Sequence, residues 1–90
     1  MSERETAQHV LDALKLAAEK PAPEVLADLN GLIPLVQGDG EQGLEVEDTR
    51  ATAFLAICEL GKALHRGQQA DARYATAISA AERWLQFAGI

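Results

Sequence analysis

The stretch EDTRATAFLAICELGKALHRG, Glu47 to Gly67, decides the fold. Acids open it, and Lys62, His65 and Arg66 close it just before a glycine, which complements a helix dipole at both ends and supplies a stop. Ala53, Phe54, Ile57, Leu60, Gly61 and Leu64 recur at steps of three and four as one stripe, while Ala51, Leu55 and Cys58 fall on other faces. A helix that is apolar over more than half its girth belongs among other helices. This third helix, starting near Glu47 or Asp48 and ending at Arg66, is therefore expected to be central.

The flanking sequence reads as three more helices. Ser2 and Glu5 are spaced as a capping box. Behind them Ala7, Val10, Leu11, Leu14, Ala17 and Ala18 make one apolar stripe, predicting a helix over about 3–20 that Pro21 ends. Pro23 suits a first turn, and Val25, Leu26, Leu29, Leu32, Ile33 and Val36 carry a second helix through Asn30-Gly31 and Pro34, where it should kink or split. Gly38, Gly40 and Gly43 among acids predict a polar loop over about 38–47, with Leu44 and Val46 as its anchors. A fourth helix over about 69–88 carries Tyr74, Ala75, Ile78, Ala81, Leu85 and Ala88 on one stripe, and Ala77, Ala80, Trp84 and Phe87 on another. The fold class is thus all-α: a bundle of four helices forming a single domain over 1–90.

Composition narrows the function classes. Fourteen acids against eight bases give a net charge of −6, which argues against direct contact with a nucleic-acid backbone. The charge is uneven: residues 1–45 hold nine acids and three bases, residues 46–90 five of each. Between Lys20 and Arg50 stand seven acids and no base, a stretch expected to face water or a basic partner. One cysteine excludes an internal disulfide. No apolar signal segment and no membrane-length apolar run is present, so a cytoplasmic protein with no membrane contact is expected.

No pattern for catalysis stands out, and the chain is expected not to be an enzyme and to need no cofactor. Cys58 has no histidine within one turn, so it reads as a small core residue. Glu5, His9 and Asp12 share one helix face at metal-ligand spacing, yet only one such set exists where a closed site needs about four ligands. Asp39-Gly40-Glu41 resembles part of a calcium loop, but the register fails at Gly43, Leu44 and Arg50.

Two surfaces remain as binding candidates. Trp84 and Phe87, beside the small Ala77 and Ala80, form a second apolar strip that suits either a helix–helix interface with another chain or a further core face packed on the second helix. Asp39, Glu41, Glu45, Glu47 and Asp48 form an acidic docking surface. The reading is a non-catalytic protein–protein interaction module, a homodimer through the fourth helix, that binds or regulates another protein. Alternatives are an acidic decoy that inhibits a nucleic-acid-binding enzyme, and a helical metal-binding protein centred on Glu5, His9 and Asp12.

Overall fold

The computed structural model describes residues 2–38 and 42–88. Among them are four helices, α1 (Glu3–Ala17), α2 (Ala22–Gln37), α3 (Leu44–His65) and α4 (Asp71–Ala88), and no strand. The all-α bundle read from the sequence is therefore the fold.

Local chemistry sets each helix end. At the start of α1 the Glu5 N–H donates to Ser2 Oγ at 3.1 Å and the Ser2 N–H donates to Glu5 Oε1 at 3.3 Å, so the capping box is closed. The helix stops at Ala17, short of Lys20, because Pro21 disfavours helical backbone in the residue before it. Residues 18–20 instead form a turn, with the Lys20 N–H on the Ala17 carbonyl at 3.0 Å.

Helix α2 runs from Ala22 to Gln37 without a split, with Pro34 inside it. Pro34 cannot donate to the Asn30 carbonyl. Asn30, Gly31 and Pro34 are all exposed, so water can take that acceptor, while buried Val25, Leu29, Leu32 and Val36 hold the opposite face to the core. Packing of one continuous stripe outweighs the local breakers.

Helix α3 begins at Leu44 with Gly43 as its cap, earlier than the expected start at Glu47. Residues 44–47 of the loop expected over 38–47 are therefore helical, and residues 39–41 of it lie outside the described residues. Leu44, expected as an anchor, is instead 86% exposed, whereas Val46 does pack on the core. At the other end the Gln68 N–H reaches the Ala63 carbonyl at 2.9 Å and the Gly67 N–H the Leu64 carbonyl at 3.2 Å. That double closure needs a residue at positive φ, and Gly67 supplies it at 68°.

The helices stand as a square in chain order. Helix α1 packs on α2 and α4, and α3 packs on the same two, its pairing with α4 being the most extensive in the molecule. Short connections make successive helices antiparallel. The bundle measures 36 × 19 × 18 Å, and α3 alone, at ~1.5 Å per residue, spans about 33 Å of the long axis. Helix α3, expected to be central, shares the most extensive helix pair of the molecule from a corner of the square.

Corner geometry decides between the two readings of α4. Ala77, Ala80 and Trp84 are buried in the chain's own core, against α1 and α3 rather than the expected second helix, and Trp84 is the largest fully buried side chain. A corner helix meets two neighbours about 90° apart, so both apolar stripes of α4 are needed, one toward α1 and one toward α3. Ala75, expected on the inward stripe, is exposed. A fourth-helix dimer interface built on Trp84 is incompatible with this packing; of that strip, half-buried Phe87 alone reaches the surface.

Candidate functional site

Most polar side chains of interest are occupied by the fold. Arg50 is only 5% exposed, an unusual place for a guanidinium on a helix. Its Nη1 donates to Glu3 Oε1 at 3.2 Å and its Nη2 pairs with Glu47 Oε2 one turn earlier on α3. Trp84 Nε1 donates to the same Glu3 Oε1 at 3.1 Å, so one carboxylate oxygen of α1 collects donors from α3 and α4. The hydrogen bond Arg50 donates to Glu47, aided by the one to Glu3, holds the guanidinium above its ordinary range against the opposing effect of burial. Gly38 covers the group from the end of α2: a methyl at that position would fall onto the guanidinium. The cluster ties three helices together at one end of the bundle.

This arrangement dismantles much of the expected acidic docking surface. Asp39 and Glu41 lie outside the described residues. Glu47 is half-buried and bound to Arg50, so it is not a free docking charge; Glu45 and Asp48 are exposed. The long acidic stretch is also neutralised from its two flanks. Arg50 takes Glu47, and Lys20 Nζ donates to Asp28 Oδ2 at 2.9 Å, which raises the lysine above its ordinary value.

The one-face set on α1 is likewise used locally. Glu5 serves the capping box, and its hydrogen bonds with Ser2 hold its carboxyl below the ordinary value. Asp12 accepts from Gln8 Nε2 at 2.9 Å. Among the described residues no three His, Cys, Asp or Glu side chains gather to hold a metal ion.

Leu16 on α1 and Leu44 at the start of α3 are exposed, and a longer apolar surface is left uncovered between α2 and α3. Leu26 and Ile33 of α2 face Phe54 and Cys58 of α3 across an open groove of about 640 Å³. Gly61 lies along it with no large side chain of its own, and Asn30, Lys62 and His65 supply its polar edge. A smaller hollow of about 180 Å³, between Gln37 and Ala51, continues the groove past Phe54 toward Arg50. Beside the groove, on the outer face of α3, Leu55 is 64% exposed. Cys58, read as a core residue, is half-buried in the groove wall.

Sequence reasoning named none of Leu26, Ile33, Phe54 and Leu55 as contact residues. The available signal was the second apolar face of α3, with Ala51, Leu55 and Cys58 off the main stripe; the square packing covers the inner arc and leaves that face open. No protein-family model, curated protein or solved structure matches the chain. Among the described residues no helix is long and apolar enough to cross a membrane.

Proposed function

We propose that this chain is a non-catalytic protein-interaction module whose contact surface is the α2–α3 groove together with the outer strip of α3. The observation that carries the reading is Leu55, exposed at mid-helix beside the half-buried Leu26, Ile33, Phe54 and Cys58. Single exposed leucines are common, but one that extends an apolar groove is the pattern of a docking surface. Phe54 is the anchor, Gly61 lets a partner backbone approach closely, and Asn30, Gln37, Lys62 and His65 form the polar rim.

The absence of a metal-holding group among the described residues, and the two turns of helix separating Cys58 from His65, favour binding over chemistry. The acidic decoy has less behind it, since of its five acids Glu45 and Asp48 are the two that are described and exposed.

The single cysteine offers a direct test. A benzophenone tethered to Cys58 is irradiated in native extract, beside a control probe at exposed Ser79 of α4 in a Cys58→Ala, Ser79→Cys variant. The reading expects a polypeptide adduct, whether to another protein or to a second copy, specific to the Cys58 probe and lost on Ile33→Glu. Equal yields from the two probes, or none from Cys58, would overturn it.

A further inference from the structure

We infer that the partner on this face is a second copy of the chain, docked antiparallel along α3 with the two-fold axis at Leu55. The inference rests on the interaction-module reading above and names its occupant.

Asp48, Leu55 and Lys62 stand seven residues apart, and seven residues drift only about 20° around a helix, so the three share one outward line. All three are exposed, and Lys62 holds Glu59 one turn back at 3.3 Å in an exposed pair that leaves ammonium donors for a second carboxylate. Asp48 lies about 10.5 Å to the amino side of Leu55 and Lys62 about 10.5 Å to the carboxy side, at ~1.5 Å per residue. A two-fold axis through Leu55 reverses the second α3. Each Asp48 then comes level with Lys62 of the second copy, and leucine meets leucine at the centre. Ala51 and Cys58 flank Leu55 and are small enough to let the helices approach.

An isologous contact demands this self-complementarity; an unrelated partner does not. The helix dipole alone also favours acids first and bases last, but only within the first and last turns. Asp48 is already in the second turn, and the dipole gives no reason for an exposed leucine midway between opposite charges. Charge elsewhere opposes random association, because the chain carries −6 while residues 46–90 carry five bases for five acids. The near-neutral half is the one that holds the proposed contact.

Light scattering behind size exclusion, from micromolar to millimolar protein, reads the outcome on the purified chain. Wild type is expected at twice 9.6 kDa. Leu55→Glu, which sets two carboxylates across the axis, should raise the dissociation constant about 100-fold. Asp48→Lys and Lys62→Asp should each weaken the dimer about tenfold, and the double reversal, which restores opposite pairs, should return it to within about threefold of wild type. Far-UV circular dichroism confirms that each variant is folded. A wild-type monomer throughout, a dimer indifferent to Leu55→Glu, or a double reversal no better than the singles would overturn the inference. A monomer whose Cys58 probe still captures another protein would leave the module reading standing; loss of both would remove both.

Discussion

Replacing Arg50 by methionine removes the guanidinium at the junction of α1, α3 and α4 while keeping most of the side-chain stem. Glu3 retains the Trp84 N–H, but Glu47 loses the donor on Oε2, and its Oε1 has no partner among the described residues to begin with. Breaking a fully buried ion pair from one side costs about 3–5 kcal/mol, and an exposed pair about 0–1 kcal/mol. Side-chain exposure is 6% for Arg50 and 20% for each carboxylate, so water reaches the acids left behind and relieves part of the penalty. The expected loss is about 2–3 kcal/mol. For a chain of this size total stability is roughly 5–13 kcal/mol, so the variant should still fold, with a Tm lower by about 10–20 °C. Urea unfolding followed by circular dichroism measures the difference. Adding Glu3→Gln and Glu47→Gln removes the orphaned charges and should recover more than half of it. A loss below about 0.5 kcal/mol, or no recovery in the triple variant, would show that the cluster is a surface decoration rather than a junction.

The same junction explains Gly38, whose φ of 63° and ψ of −171° lie in a region essentially reserved for glycine. Gly38→Ala should cost about 1–3 kcal/mol in urea unfolding, with a smaller cost in an Arg50→Met background where the methyl no longer meets the guanidinium. Ser2→Ala should cost about 1 kcal/mol by opening the capping box. Because Glu5 titrates below its ordinary value, its own contribution is present above that value and fades as pH falls through the lowered one; the stability gap between wild type and Glu5→Gln should close in acid. Tyr74 behaves in the opposite sense. Burial raises its pKa, so the folded state favours the neutral phenol, and stability declines as pH rises past the ordinary tyrosine range. Tyr74→Phe should flatten that alkaline decline relative to wild type.

Helix termini with a local motif were the most legible part of the sequence. Ser2 with Glu5, and Gly67, act through backbone groups within a few residues, whereas α1 stops at Ala17 short of the expected Lys20 and α3 starts at Leu44 ahead of Glu47. The apolar stripes of α1 and α2 are where periodicity puts them, the exposed Ala18 excepted. The second stripe of α4 is ambiguous in the sequence because periodicity gives angles around one helix but not the number of neighbours; at a corner of the square, Trp84 faces inward as surely as Ala81. Arg50 went unnoticed because its partner Glu3 is 47 residues away and Gly38 matters only once α2 and α3 are side by side. Its pairing with Glu47 at i and i+3 is the local trace such a node leaves. The contact surface was half visible: the surplus apolar face of α3 was legible, but its continuation onto Leu26 and Ile33 depends on how two helices meet.

Amide chemical shifts across a dilution series of the purified chain test the central claim most directly, since they locate self-contact residue by residue. The account expects concentration-dependent shifts at Ile33, Ala51, Leu55, Cys58 and Lys62, with exposed positions on α4 such as Arg73 and Glu82 unmoved. Shifts clustered on the α1–α4 side, or a spectrum independent of concentration, would contradict it.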